Sequence, residues 1–195
     1  MKLLKTMMVI MLFSLTACSA TEEKTEETIE EPVQTQTVHA QIVIKDYGTV
    51  TLELYPDVAP ITVENFVKLT EEGFYDGNCF HRIIDGFMIQ GGAPTDRTAE
   101  KIKGEFSSNG FENDLKHTEG VISMARAKDP DSASSQFFIM VGDAPWLDDQ
   151  YAAFGKVTEG LDIVKKIAGD AKPYDDNGSI APEERPVIES VRIID

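Results

Sequence analysis

The sequence contains few cysteines, few histidines and little positive charge, and each shortage excludes a class of protein. Its 195 residues include two Cys and three His, and His39, His81 and His117 are too scattered to form a metal-binding motif. Eighteen Lys and Arg oppose 34 Asp and Glu, so the formal charge is −16. Because such a surface repels phosphate groups, we expect no nucleic-acid partner.

Motifs that bind cofactors are also missing from the sequence. No glycine-rich phosphate loop follows a predicted strand. The acidic segments 129–131 and 175–178 lack the roughly twelve-residue ligand spacing of calcium loops. We therefore expect no cofactor and no bound metal, and we interpret both segments as loops.

The longest apolar run lies at the N-terminus. Lys2 and Lys5 precede about a dozen apolar residues, which is fewer than the roughly 20 that a spanning helix needs. The run ends in LTAC at Cys18, which resembles a bacterial lipobox. This order predicts a signal peptide over residues 1–17 and a lipid on Cys18. The alternative is an ordinary secretory signal with an incidental cysteine.

An acidic segment follows Cys18. Residues 19–37 carry six Glu and few apolar side chains, so they cannot offset the entropy of ordering. We predict that residues 18–38 are a lipidated, disordered tether, with an acidic recognition arm as the alternative. Cleavage before Cys18 changes the formal charge to −18, because it removes two lysines and no acid. Lipid on Cys18 leaves Cys79 without a disulfide partner, and we expect Cys79 to be a buried small hydrophobe.

Residues 39–195 have the pattern of an all-β domain. Short apolar and alternating runs predict eight strands, at residues 40–45, 49–54, 79–84, 87–91, 121–126, 136–141, 153–157 and 187–193. Helical spacing predicts two α-helices, one from Pro60 to just before Gly73 and one over residues 161–168. Eight strands and two helices favour a closed antiparallel barrel that is capped by the helices.

Arg82 is the unusual residue of this pattern. It lies in the run FHRIIDGFMIQGG, within a predicted hairpin with a two-residue Asp-Gly turn. On a strand, Phe80 and Arg82 would share one face, and Phe87 and Gln90 would follow after the turn. A surface arginine whose stem covers the barrel wall fits the spacing equally well.

Four ordered motifs identify the family that this pattern resembles. FHRIIDGFMIQGG is followed by HTEGVISMARA, SSQFFIM and WLDDQYAAFGKVTEG. Together they are similar to the cyclophilin family of peptidyl-prolyl isomerases, from about residue 40 to the C-terminus. The resemblance implies a barrel of eight strands with two helices and catalysis of rotation about X-Pro bonds without a cofactor.

The resemblance also implies roles for individual residues. The catalytic positions are matched by Arg82, Phe87 and Gln90. The positions that contact the substrate are matched by Met88, Ala125, Arg126, Ala127, Gln136, Phe138, Trp146, Leu147 and Tyr151.

The sequence departs from the family pattern at three places. Tyr151 replaces a frequent histidine, Arg126 replaces a frequent asparagine, and the loop over residues 93–103 is short and poor in glycine. We expect these departures to change peptide preference rather than remove activity. Trp146 matches a tryptophan associated with cyclosporin, so the resemblance also implies a cyclosporin-type ligand.

These observations predict a lipid-anchored isomerase on the extracytoplasmic face of the cell membrane. Its partners would be proline-containing polypeptides, and its only contact with the membrane would be the lipid on Cys18. Two alternatives remain: a chaperone or adhesin that binds proline segments without needing catalysis, and, less favoured on chain length, a small-molecule-binding lipoprotein.

Overall fold

The computed structural model describes residues 37–194 as one compact unit. The predictions for residues 1–17, Cys18 and most of the tether lie outside the described residues. The strands are β1 (Val38–Ile44), β2 (Gly48–Leu54), β3 (Arg82–Ile84), β4 (Met88–Gly91), β5 (Val121–Met124), β6 (Phe137–Met140), β7 (Ala153–Glu159) and β8 (Ile188–Ile193). The helices are α1 (Pro60–Glu71) and α2 (Leu161–Asp170), and three short 3-10 turns lie at Ser107–Asn109, Pro145–Leu147 and Pro182–Glu184.

All eight strands belong to one curled antiparallel sheet. Their order is β3-β4-β6-β5-β7-β2-β1-β8, so β3 and β8 are the two edges. The edges meet just before each strand, through a bridge between Cys79 and Val187 and a hydrogen bond from the Phe80 amide to the Pro186 carbonyl. The all-β class, the eight strands and the two helices are confirmed. The prediction that the barrel is closed is not confirmed, because the strand pairing within residues 37–194 includes no continuous ladder between β3 and β8.

The hairpin that carries Arg82 differs from its prediction. Pairing starts at Arg82 rather than Cys79, and Ile84 lies opposite Met88, so the turn contains three residues instead of two. Phe80 lies before the strand and is fully buried in the core, whereas Arg82 is on the other face. Since the residues before Arg82 hydrogen-bond to the segment before β8, the alternation of a strand does not apply to them. Cys79 is half-buried, not fully buried as predicted.

Helix α1 begins at Pro60, as its sequence predicts. The buried carboxylate of Glu105 accepts hydrogen bonds from the amides of Ile61 and Thr62, at 3.0 and 2.8 Å, and so caps the free N–H groups of the first turn. Phe66 is fully buried against the sheet. The helix therefore covers one end of the curled sheet and is fixed there by a buried acid.

Helix α2 is longer than predicted. It continues through Gly169 to Asp170, and Ala171 is extended two residues before Pro173. Gly169 adopts helical geometry at a modest conformational cost, and the helix ends before Lys172, whose helical conformation the following Pro173 disfavours. No helix within residues 37–194 is long and apolar enough to cross a membrane.

The sheet has an inner and an outer apolar cluster. The inner cluster is the core of the domain, and on β6 it includes Phe137 and Ile139. The outer cluster includes Phe138 and Met140 from the same strand. Alternate side chains of β6 thus point to opposite faces of the sheet. The outer face carries the site described next.

Candidate active site

A cavity of about 210 Å³ opens on the outer face of the sheet. Its nine lining residues are Arg82, Phe87, Met88, Gln90, Ala125, Arg126, Phe138, Leu147 and Tyr151. All nine were predicted as site residues from the sequence. The two charged residues among them are both arginines.

Arg82 is held in the cavity from two sides. Its Nε donates to the carbonyl oxygen of Asn177 at 2.8 Å. Its Nη1 donates to Gln90 Oε1 at 3.3 Å and lies 3.7 Å from the Met88 sulfur. Gln90 is directly opposite Arg82 in the ladder, and its Nε2 donates to Gln136 Oε1 at 3.0 Å. These bonds fix the plane of the guanidinium, and none within residues 37–194 uses Nη2.

The carbonyl of Asn177 is itself positioned by a tight turn. Asp175 accepts a hydrogen bond from the Ser179 amide at 2.8 Å, and this bond is the largest of the causes that lower the pKa of the Asp175 carboxyl. Gly178 has φ +85°, and a Cβ there would lie 2.5 Å from Ile84 Cγ1. Glycine is therefore required where this turn packs on β3.

The apolar walls come from separate elements. Met88 on β4 and Phe138 on β6 are buried beneath the cavity, while Leu147 belongs to the 3-10 turn Pro145–Leu147. The ring of Phe87 lies tilted against that of Trp146 with centroids 5.9 Å apart, and Trp146 is 62% exposed. The walls combine a fixed floor with an exposed aromatic rim, which suits a small apolar ring that is attached to a longer chain.

A buried polar network lies behind the wall. The His117 ring stacks on Phe138, its Nδ1 is 3.0 Å from Asp148 Oδ1, and its Nε2 is 3.0 Å from Ser123 Oγ. Burial lowers the pKa of His117 despite the neighbouring carboxylate. Burial raises the pKa of Asp148, but hydrogen bonds from His117 outweigh it and leave this pKa below its usual value. The network ties the floor to the turn that carries Leu147.

Sequence reasoning missed this network. Ser123 is fully buried, so it is not accessible as a nucleophile despite its Ser-His-Asp geometry. His117 lies inside a quoted motif, and Asp148 directly follows Leu147. The signal was present, but nothing in the spacing shows that residues 31 positions apart share a hydrogen bond.

Arg126 and Tyr151 form the opposite wall. The Arg126 guanidinium carbon lies 4.7 Å from the centre of the Tyr151 ring and 5.1 Å from that of Phe106. Its Nε donates to the Gln150 carbonyl at 2.9 Å, and its Nη1 donates to the Ala127 carbonyl at 3.0 Å. The two residues that depart from the family pattern therefore pack on each other.

Three predicted site residues lie beside the cavity rather than on its lining. Gln136 supports Gln90, Trp146 stands against Phe87, and Ala127 accepts a bond from Arg126. The short loop over residues 93–103 is also not part of this lining, and it borders a separate groove beside α1. Residues 37–194 contain no group of three or more His, Cys, Asp or Glu that could hold a metal ion.

Comparisons with known proteins agree with this geometry. The family described as cyclophilin type peptidyl-prolyl cis-trans isomerase/CLD matches residues 39–194. Peptidyl-prolyl cis-trans isomerase B of Escherichia coli is 38% identical over 156 residues, which are 76% of this chain and 95% of that protein. Peptidyl-prolyl cis-trans isomerase A of Dickeya dadantii is 40% identical over 156 residues, or 75% of this chain and 80% of that protein.

A solved structure gives the same result. The crystal structure of a cyclophilin type peptidyl-prolyl cis-trans isomerase of Cryptosporidium parvum superposes with a TM-score of 0.70 at 28% identity. It covers 82% of this chain and 99% of that one. A second crystal structure of the same protein was obtained in the presence of the dipeptide Ala-Pro, and its TM-score is 0.69. The chain thus belongs to the family of cyclophilin-type peptidyl-prolyl cis-trans isomerases and is an isomerase of that type.

Proposed function

We propose that Arg82 drives the isomerisation by donating a hydrogen bond to the prolyl nitrogen of the client. An X-Pro bond prefers trans by only about 0.5–1 kcal/mol but exchanges over tens to hundreds of seconds. The enzyme has only to lower a rotational barrier, and it needs no covalent nucleophile. The observation that carries this proposal is the fixed guanidinium of Arg82 beside the apolar lining of the cavity.

The chemistry favours an arginine because of what rotation does to the amide. When the bond twists, resonance is lost and the prolyl nitrogen regains a lone pair that can accept a hydrogen bond. A donor placed there binds the transition state more tightly than the planar ground state. The bonds of Nε and Nη1 to Asn177 and Gln90 hold the guanidinium in one orientation and leave Nη2 available.

The apolar walls supply the rest of the effect. The proline ring of the client would lie against four apolar side chains, those of Phe87, Met88, Phe138 and Leu147. The dipeptide Ala-Pro, which was present with the Cryptosporidium relative, is a suitable probe of this site. One charge-assisted hydrogen bond contributes about 1.5–3 kcal/mol. A 10⁵-fold acceleration requires about 7 kcal/mol, so ring anchoring has to provide much of the gain.

The test is the cis-to-trans relaxation of a short X-Pro peptide. We expect Arg82→Ala to lower kcat/KM about a hundredfold, with the fold retained by circular dichroism. Arg97→Ala is the matched control, because it removes the same charge from a residue that does not line the cavity. If Arg82→Ala keeps the wild-type rate, the arginine mechanism is wrong. If wild type binds proline peptides but accelerates nothing, the protein is a binding module.

The cellular part of the proposal rests on the N-terminal sequence. A charged start, a short apolar run and LTAC at Cys18 support export, lipid attachment and placement on the extracytoplasmic face of the cell membrane. The clients would then be exported proteins whose folding waits on X-Pro bonds. The intact mass of the membrane-extracted protein tests this: an unlipidated chain, or one that does not begin at Cys18, contradicts it.

A cyclosporin-type ligand is part of the same proposal. The half-buried rings of Phe87 and Tyr151 and the exposed ring of Trp146 lie at the edge of the cavity, an arrangement that suits a large apolar ligand. We expect cyclosporin to inhibit the relaxation assay competitively with the peptide. No inhibition at a concentration that saturates other family members would contradict this expectation.

A further inference from the structure

The cavity carries a second positive charge that the isomerisation does not use. Arg126 lines the same space as Arg82, and no acidic residue lines it. Neither arginine has an ion pair with any carboxylate within residues 37–194. A chain with a net charge of −16 therefore has an uncompensated cationic cavity.

We propose that Arg126 is a specificity residue that selects clients with an acidic side chain within two positions of the proline. The proposal rests on the isomerase function of the cavity and names the substrate class that the cavity favours. The group that binds the Arg126 guanidinium is a side-chain carboxylate of the client peptide.

The geometry leaves Arg126 one donor nitrogen, Nη2, for such a carboxylate. Its Nε and Nη1 are used by the main-chain carbonyls of Gln150, Ala127 and Lys128. Among residues 37–194, no acceptor bonds its Nη2. The rings of Tyr151 and Phe106 hold the guanidinium in place, so little entropy is lost when a carboxylate binds.

One bound peptide can reach both arginines, because they share a cavity. Both line one cavity of about 210 Å³. An extended peptide advances about 3.3–3.6 Å per residue, so residues next to a proline at the Arg82 side lie near the Arg126 wall. Because the cavity is partly desolvated, an ion pair there is stronger than one on the open surface.

The net negative charge of the protein disfavours acidic clients, whereas Arg126 favours them. The two effects differ in the distance over which they act. The acidic surface repels an acidic client from a distance, which slows association with any acidic peptide. The pair with Arg126 forms only at contact, and it distinguishes where along the client the acid lies. A positional preference thus points to Arg126, whereas a uniform penalty points to the net charge.

The experiment compares peptides that differ at one position. Glu, Gln or Lys is placed in turn at the two positions before and the two after the proline, and kcat/KM is measured for each peptide. We expect a Glu-to-Gln ratio of about three to ten in at least one position. Arg126→Gln should bring that ratio close to one. Arg97→Gln removes the same charge from a site away from the cavity and should leave the ratio unchanged.

Two further measurements keep the result interpretable. Arg126→Lys retains the charge but loses the planar guanidinium, so part of the preference should remain. In the wild type, the preference should weaken as salt rises from about 0.02 to 0.5 M. The single tryptophan, Trp146, lies at the rim, so its fluorescence reports peptide binding even if catalysis is absent.

Each contrary outcome has one meaning. A ratio near one at all four positions in the wild type overturns the proposal, and so does a ratio that Arg126→Gln leaves intact. If Arg126→Gln lowers kcat/KM equally for the Glu, Gln and Lys peptides, Arg126 only supports the structure of the cavity wall and the proposal is wrong. Peptides that bind with the expected preference but do not isomerise would refute the isomerase function instead, and they would leave the acidic selectivity standing.

Discussion

The two faces of β6 differ more than their sequences suggest. Phe137 and Phe138 are neighbours, and both are almost fully buried. Phe137 faces the inner core, where its ring packs against those of Phe66, Tyr75 and Phe80. Phe138 faces outward, where it stacks on His117 and meets Tyr151 edge to face. The inner face is mainly apolar and holds the fold, whereas the outer face combines apolar groups with a polar network and holds the site.

This difference predicts separate effects on stability and on activity. The largest expected effect is on the inner face. Phe137→Ala removes a ring from a packed aromatic cluster and should lower the free energy of unfolding by about 3–5 kcal/mol, because the cavity it leaves cannot collapse fully. Urea denaturation measures this loss.

The specific activity of the folded fraction sharpens the same comparison. We expect Phe137→Ala to keep most of the wild-type kcat per folded molecule, measured well below its unfolding midpoint. Phe137→Leu is a milder variant for use if the alanine protein does not fold. A variant that remains fully stable while its activity collapses would show that the inner face also shapes the site, and the division would be wrong.

A smaller effect is expected where an outer loop supports the arginine. Asp175→Ala removes the carboxylate that fixes the turn and frees the Asn177 carbonyl that holds Arg82 Nε. We expect kcat to fall about three- to tenfold with little change in KM, because the orientation of the donor is lost and the ring site is untouched. Relaxation kinetics at several peptide concentrations give both constants.

The next residue offers a control for charge. Asp176 is an exposed neighbour with the same charge, so Asp176→Ala should leave kcat unchanged. Asp175→Asn retains an oxygen that can accept from Ser179 and should restore part of the activity. Equal effects of the two alanine variants would mean that charge, not the turn, acts on Arg82.

The smallest expected effect is a pH dependence of stability that comes from two histidines, His117 behind the cavity wall and His81 just before β3. Burial lowers the pKa of His117, and burial followed by the charges of Arg185 and Arg82 lowers the pKa of His81. Both rings therefore bind fewer protons in the folded state than in the unfolded state as the pH falls through about 6.5 towards the lowered pKa values. The unfolded state gains protons first as the pH falls, so the free energy of unfolding should decrease from pH 7.5 towards the lowered pKa values.

The variant His117→Asn isolates the contribution of the network. It should flatten this slope, which is at most about 1.4 kcal/mol per pH unit for one proton. Asp148, whose pKa is also lowered, loses its contribution only at a more acidic pH. Denaturation at closely spaced pH values checks the prediction, and an unchanged slope between pH 7.5 and 5 in His117→Asn would contradict it.

The sequence predicted the strands well because each has a local apolar pattern. It also predicted the residues of the cavity, since the four motifs match the family at Arg82, Gln90, Phe138 and Leu147. The prediction was wrong where contacts between distant parts of the chain override the local alternation of side chains. Phe80 was placed on the face of Arg82 because alternation was assumed, but the segment before β3 is held by hydrogen bonds to the segment before β8.

Two parts of the site could not be predicted for different physical reasons. The acceptor for Arg82 Nε is a main-chain carbonyl, and a carbonyl is present at every residue, so no side chain marks Asn177. Packing of Arg126 between Tyr151 and Phe106 depends on loops that meet only in the folded chain. The motifs of the family indicated side chains that the structure places around the cavity, whereas tertiary contacts decide how each one is held.

The position of the cavity on the outer face of the sheet determines how a client can be engaged. Because the core lies on the other side, nothing has to open and no chain end has to be threaded. A proline in the middle of a long polypeptide can enter sideways, turn and leave while the chain continues in both directions. An open site of this kind imposes no order on the prolines of one client, because each can bind and leave independently of its place in the chain.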